Sequence, residues 1–357
     1  MAVIEVLCMT AGPAMATSSI KPDEEVVFFP TSAYLDEEGT TWVIPVHGWI
    51  FEREEDSIWR TVVIEELLRC LELDPSVVER QLFRERARLF LVDNERGKKV
   101  HIQMGERVFA MNPSEPNGHF TGVFGLERKL FEGAGQNIFQ HFRAVMPEGD
   151  SRRFQGMVQL LLPEGTSVIS DIDDTIKISQ VADKQQLLAN TFLRPFRKVP
   201  GMAELYRKWA EAGAAFHYVS SSPWQLYPAL SKFVAREGFP RGSFHLKSFR
   251  LKDRTFFNLF ETPERSKPPV IDFILRTYPR RKFILVGDSG EKDPEVYGAI
   301  ARKYPEQIIF VFIRNVSPKD HGAKRFMTAF NGLSRKRWKV FFDPRELVDI
   351  DLSVSRE

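Results

Sequence analysis

The spacing of apolar residues changes near residue 165. Before that point, short strand-like runs, the first rich in Trp, Val and Ile around Gly48, alternate with turn residues. These runs fall at 41–51, 100–104, 108–111, 119–126, 138–146 and 154–162. A helical pair interrupts them. Residues 57–73 carry apolar side chains at helical spacing, and Asp74-Pro75 caps a second helix from Ser76 to about Phe90. Gly133-Ala134-Gly135 lacks the third glycine and the strand-to-helix setting of a nucleotide loop, so it reads as a turn. The first half is therefore expected to be a β-sandwich with an inserted helical hairpin.

From Thr166 the strands become nearly continuous apolar runs, as in sheets covered on both faces. Strands near 167–171, 215–220, 283–288 and 308–313 alternate with helices near 202–212, 225–237, 270–278 and 294–304. That alternation predicts a doubly wound parallel α/β sheet with right-handed crossovers. The expected domains are a mainly-β unit at 26–164 and an α/β unit at 165–345. An N-terminal segment, 1–25, that need not be ordered precedes them, and a tail, 346–357, follows.

At 357 residues the chain suits two domains, and 43% hydrophobic with 27% charged residues is a globular composition. Cys8 and Cys70 cannot build a disulfide framework. No run approaches the roughly 20 apolar residues of a membrane span. Residues 1–20 lack a basic leader and carry Glu5, which argues against a signal peptide and for a cytoplasmic protein. Residues 1–165 hold 17 Lys and Arg against 26 Asp and Glu, whereas 166–357 hold 33 against 22. A basic second half suits an anionic substrate or an anionic membrane surface. No nucleic-acid motif accompanies it, so nucleic acid is not an expected partner.

Residues 168 to 175 read Val-Ile-Ser-Asp-Ile-Asp-Asp-Thr, an apolar run delivering three carboxylates and a hydroxyl within five positions. The carboxyl end of such a strand is where open α/β sheets bind ligands. Asp171 and Asp173 would repel one another unless a cation or a proton relieved them, and a hard divalent ion such as Mg²⁺ is the natural partner. Three more segments follow in order. Phe216-His217-Tyr218-Val219 ends in Ser220-Ser221-Ser222-Pro223, Lys267-Pro268-Pro269 precedes a helical stretch, and the strand at 282–286 ends in Gly287-Asp288-Ser289-Gly290-Glu291-Lys292-Asp293.

Together these resemble the four motifs of the haloacid dehalogenase superfamily. The stretches Val-Ile-Ser-Asp-Ile-Asp-Asp-Thr-Ile-Lys, His-Tyr-Val-Ser-Ser-Ser-Pro-Trp-Gln-Leu-Tyr-Pro and Phe-Ile-Leu-Val-Gly-Asp-Ser-Gly-Glu-Lys-Asp-Pro-Glu-Val-Tyr resemble the actin patch protein phosphatidate phosphatase family, whose catalytic motifs are related to those of the lipins. The likeness covers roughly 165–316, and more loosely Gly48-Trp49 and Gly118-His119-Phe120. It implies Mg²⁺-dependent hydrolysis of phosphatidate to diacylglycerol. It makes Asp171 the nucleophile and Asp173 the general acid and base, a role that needs a pKa raised toward working pH. Asp171, Asp288 and the Asp173 carbonyl would hold the metal, with Asp293 orienting its waters. Ser220 would donate to a phosphoryl oxygen, with Ser221 and Ser222 as competitors. One of these serines is also the expected N-cap of a helix starting at Pro223. Lys267, ahead of Lys247 and Lys252, would neutralise the transferring group. Asp174 and Thr175 would fix the loop. No Pro-rich tail follows Phe342, so a role through cytoskeletal adaptor domains is not expected.

About 45 residues separate Asp174 from Ser220, room for a helical flap but not for a large cap, so an open site is expected. Between Arg241 and Phe283 lie 11 Lys and Arg, four Asp and Glu and eight aromatics. Phe249, Phe256, Phe257 and Phe260 there cluster with Arg250, Lys252 and Arg254, which suits either a lipid interface or a Phe-packed layer. Trp224 and Tyr227 fit either an acyl-chain path or simple packing. Two other functions stay open on the residues alone: a phosphatase of a soluble ester or phosphoprotein, and a catalytically inactive lipid-binding module.

Overall fold

The computed structural model describes residues 18–53, 76–131, 138–248, 263–316 and 323–350. The expected helix at 57–73, the turn at Gly133-Ala134-Gly135 and the cluster Phe249, Arg250, Lys252, Arg254, Phe256, Phe257 and Phe260 lie outside the described residues. Two compact units emerge. One joins Met1–Ile58, Leu91–Leu162 and Gly242–Phe244; the other joins Trp59–Phe90, Pro163–Arg241 and His245–Glu357.

The first unit is built on strands β1 (Glu24–Phe29), β2 (Thr31–Leu35), β3 (Thr41–Glu52), β4 (Asp93–Asn94), β5 (His101–Met104), β6 (Arg107–Ala110), β7 (His119–Glu127), β8 (Ile138–Ala144) and β9 (Gln155–Leu160). Their order is β1-β3-β2-β9-β8-β5-β6, with β4 and β7 also paired to β3. Strand β3 organises the sheet because it is apolar on both faces; Trp42, Ile44, Val46, Trp49 and Ile50 are all buried. Along β7 burial alternates, with Phe120, Phe124 and Leu126 turned inward. Strands β1 and β2 are additional to those the alternation predicts. The run Glu-Glu-Val-Val-Phe-Phe of β1 has no period of two, and Pro30 separates it from β2.

Helix α1 (Val77–Ala87) begins at Ser76, whose hydroxyl accepts from the Glu79 amide while the Glu79 carboxylate accepts from the Ser76 amide. This reciprocal cap sets the start, and Asp74-Pro75 lies outside the described residues. The helix groups with the second unit and not with the β unit into which its sequence is inserted. Its buried face explains why. Phe83 packs against Phe192, and Arg86 donates to the carbonyls of Thr191 and Arg194 at 2.7 and 2.8 Å while lying over the Phe196 ring.

The second unit carries a six-stranded sheet of β10 (Thr166–Ser170), β11 (Ala215–Pro223), β12 (Ser243–Lys247), β13 (Lys282–Asp288), β14 (Ile308–Arg314) and β15 (Trp338–Phe341). The order is β12-β11-β10-β13-β14-β15, and the pairs β10–β11, β10–β13, β13–β14 and β14–β15 are parallel. The α/β parallel architecture is thus as the alternation predicts. Edge strands β12 and β15 are additions, short and mixed in polarity. Helices α2 (Lys184–Leu188), α3 (Met202–Glu211), α4 (Tyr227–Arg236), α5 (Pro263–Thr277), α6 (Asp293–Lys303) and α7 (Ala323–Ala329) complete the unit. The chain leaves β10 toward β11 on one side and later returns as β13 on the other. Such a reversal opens a crevice at the carboxyl ends of the two strands.

Gly48 on β3 faces Phe120 on β7, and a Cβ there would lie 2.2 Å from the ring. Gly48→Ala is expected to destabilise the β unit by about 1–3 kcal/mol through overpacking. A urea unfolding curve checks this, and an unchanged midpoint would contradict the packing described.

Candidate active site

Strand β10 ends at Ser170, and the Asp171 amide is held by the Val286 carbonyl of β13 at 2.9 Å. The next residues turn tightly, because the amides of Ile176 and Lys177 both bond the Ile172 carbonyl. Ile172 and Ile176 anchor this turn in the core. Its effect is to fold Lys177 back onto Asp173, with the ammonium 2.7 Å from the carboxylate. Asp174 adopts a left-handed conformation, φ +53°. Its carboxylate accepts from the amides of Ser179, Gln180 and Val181 at 2.7–2.9 Å, and its carbonyl accepts from Arg314 at 2.6 Å. Thr175 donates to Asp171 at 3.1 Å. Both residues brace the loop, as their place in the motif suggests.

From β11, Ser220 and Ser222 lie two residues apart and both donate to Asp173, at 3.3 and 2.9 Å. Ser221 pairs instead with Ser266 at 3.0 Å. The expected serine N-cap is not there. Strand β11 runs on through Pro223, and a 3₁₀ turn, Trp224–Leu226, separates it from α4. Ser222 therefore spends its hydroxyl on Asp173 rather than on a helix end. Lys267 also departs from expectation, lying inside α5 rather than before it. The helix runs on through Pro268 and Pro269, each of which removes an amide donor from it.

Lys267 is fully buried and its ammonium reaches Asp171 at 2.9 Å, Asp293 at 2.6 Å and Glu291 at 3.5 Å. Burial opposes its charge, but Asp171 and Asp293 outweigh burial and hold the lysine protonated. Lys247 ends edge strand β12, and Lys252 lies outside the described residues. Asp288 closes β13, and its Oδ1 accepts from the amides of Gly290 and Glu291 at 2.6 and 3.3 Å. Its Oδ2 is buried and has no hydrogen-bond partner among the described residues. Asp293 opens α6, where its Oδ2 accepts from the Asp288 amide at 3.3 Å.

Asp171, Asp288 and Asp293 each place an oxygen within 4.8 Å of the others. Burial first, and then neighbouring acids, pushes the carboxyls of Asp171 and Asp288 well above the usual range. A cluster of hard oxygens that cannot all ionise, one of them orphaned, fits a divalent cation such as Mg²⁺. Asp173 behaves otherwise. Burial would raise it, but Lys177, Ser179 and Ser222 together bring it down to about 2. A general acid calls for the opposite shift. The cause is Lys177, a residue the motif reading passed over. Its sequence signals were an i,i+4 spacing from Asp173 and a lone cation between Ile176 and Ile178.

Asp171, Asp173, Ser220, Ser221, Ser222 and Glu291 line one small cavity, with Val181 and Leu187 as its apolar wall. Trp224 and Tyr227 are not among those lining residues. Glu291 is a second residue the motifs did not single out; burial pushes its carboxyl up to about 7. Its signal was an extra acid inside the Asp288–Asp293 loop.

Residues 166–315 match the family model described as phosphatidate phosphatase APP1, catalytic domain. The resemblance read from the motifs therefore holds over that segment. An uncharacterized protein of Schizosaccharomyces pombe is 34% identical over 169 residues, 46% of this chain and 27% of that protein. Phosphatidate phosphatase APP1 of Saccharomyces cerevisiae is 36% identical over 156 residues, 43% of this chain and 26% of that protein. The chain thus matches about a quarter of the length of each of these relatives. A solved D,D-heptose 1,7-bisphosphate phosphatase from B. bronchiseptica, complexed with magnesium and phosphate, is 12% identical with a TM-score of 0.32. It covers 52% of this chain and 96% of its own, a likeness too low to bear on fold or function.

Gly287 explains how Asp293 comes so close to Asp288. A Cβ at Gly287 would lie 2.3 Å from Asp293 Oδ2 and 2.7 Å from the Tyr297 ring. Gly287→Ala is expected to cost about 1–3 kcal/mol of stability and to displace Asp293. Thermal unfolding with and without Mg²⁺ checks both effects. The variant should melt lower and gain less from the ion than the native protein, and an undiminished gain would contradict the placement.

Proposed function

We propose that this chain is a Mg²⁺-dependent phosphatidate phosphatase that works through an aspartyl-phosphate on Asp171. The observation that carries the reading is the meeting of Asp171, Asp288 and Asp293 around Lys267 at the carboxyl ends of two adjacent parallel strands. The family match over 166–315 supports phosphatidate as the ester. A metal held by Asp171 and Asp288, with the Asp173 carbonyl, would offset repulsion between a carboxylate nucleophile and an anionic phosphate.

The chain's own groups divide the remaining work. Asp171 lies against Lys267 and Thr175, which fix its direction. One of its carboxylate oxygens bonds phosphorus as the bond to the diacylglycerol oxygen breaks, and the departing alkoxide takes a proton from Asp173. Water then attacks phosphorus, the Asp171 bond breaks, and Asp173 takes the water's proton. The carboxylate form described suits this second step. The first step requires the Lys177 pair to loosen, so that Asp173 can carry a proton. Ser220 donates to a phosphoryl oxygen, and Lys267 neutralises the group in transfer. Asp293 would orient water on a bound metal.

On this reading the protein is cytoplasmic and meets its substrate at an anionic lipid surface, where the excess cations of residues 166–357 would favour encounter. Among the described residues, no helix is long and apolar enough to cross a membrane.

Turnover of phosphatidate in mixed micelles, compared with p-nitrophenyl phosphate and sugar phosphates, tests the reading. Phosphatidate should be hydrolysed and EDTA should stop it. Asp171→Asn should fall to background, and Asp288→Asn should raise the Mg²⁺ requirement by at least about tenfold. Asp173→Asn should lose least on esters with good leaving groups. Hydrolysis of soluble esters alone would favour a different substrate, and EDTA-insensitive liposome binding without turnover would favour an inactive lipid-binding module.

A further inference from the structure

Lys267 is met by three carboxylates, and they are not equivalent. Asp171 and Asp293 are fully buried and lie at 2.9 and 2.6 Å. Glu291 stands off at 3.5 Å, keeps 18% of its side chain exposed and lines the cavity with Asp171, Asp173 and Ser220. Its backbone is fixed on both sides. The amide bonds Asp288 Oδ1, and the carbonyl accepts from Arg325 at 2.5 Å, whose guanidinium also holds the Ser289 carbonyl and the Glu295 carboxylate. Only the side chain is left to move. Of its three acids, Asp171 and Glu291 line the cavity and Asp293 does not, so a phosphoryl oxygen that comes to Lys267 from the cavity meets Glu291 there.

We propose that the Glu291 carboxylate occupies the place of a phosphoryl oxygen against Lys267, and that phosphate binds only by displacing it. The inference rests on the cavity being a phosphoryl site. Like charges cannot share one ammonium at short range without cost. Glu291 thus weakens the hold on every phosphoryl group. It sets a ceiling on affinity for the free inorganic phosphate left after hydrolysis. The residue acts as a positioning group, returning to Lys267 as phosphate leaves.

Direct binding of radiolabelled inorganic phosphate to the full chain, by equilibrium dialysis with Mg²⁺ at pH 8, tests this. Glu291→Gln keeps the shape and removes the charge; it should bind phosphate at least tenfold tighter than the native protein. Glu291→Asp keeps the charge and should stay within about threefold of native. Lys267→Ala reports the site itself and should abolish binding in the native background. If Lys267→Ala abolishes binding while Glu291→Gln binds no tighter than native, the displacement is wrong and the phosphoryl site stands. Equal tightening in Glu291→Asp and Glu291→Gln would also overturn it, since loss of charge would not be the cause. If neither the native protein nor Glu291→Gln binds phosphate, or Lys267→Ala leaves binding intact, the phosphoryl-site reading fails and this inference with it.

Discussion

A single buried ammonium holds two segments of the second unit together. Lys267 comes from α5, yet its contacts are Asp171 at the end of β10 and Asp293 at the start of α6, with Glu291 beside them. Leaving any of these charges buried and unpaired would be costly, so each fixes the others. The loop after β13 can take its shape only because Gly287 lets Asp293 tuck beneath Asp288. Among the described residues, the balance of charge in this ion-paired cluster then remains negative. Five carboxylates, on Asp171, Asp173, Asp288, Glu291 and Asp293, face two ammoniums, on Lys177 and Lys267. That deficit is the physical reason the cluster suits a divalent cation.

The two ammoniums impose different states on neighbouring acids. Lys177 and three hydroxyls keep Asp173 ionised, whereas burial and mutual repulsion lift Asp171 and Asp288. Separation of pKa values between adjacent carboxyls is how one site supports both nucleophilic and proton-transfer chemistry. Asp173 begins on the basic side of that division, held by the hydroxyls of Ser220 and Ser222, which line the same cavity.

Much of this was legible in the sequence, for identifiable reasons. Buried parallel strands read as unbroken apolar runs, so β10, β11, β13 and β14 stood out, and the acids at their ends marked the site. Edge strands β12 and β15 and the non-alternating β1 carry no such signature. Helix α1 was foreseen as a helix, but its assignment to the second unit depends on Phe83 meeting Phe192, a contact between residues 109 apart. Lys177 and Glu291 were missed because a motif names the residues that react. The residues that hold them follow from the turn at Ile172 and from the loop after Asp288, and only the fold displays those.

The central claim is that Asp171 becomes covalently phosphorylated. Rapid acid quenching during turnover of phosphatidate, followed by borohydride reduction and peptide mass spectrometry, reads this directly, since reduction converts an aspartyl-phosphate to homoserine. The account predicts homoserine at position 171 and none at 173 or 288. Reduction at another acid, or full turnover with no reducible residue, would contradict it.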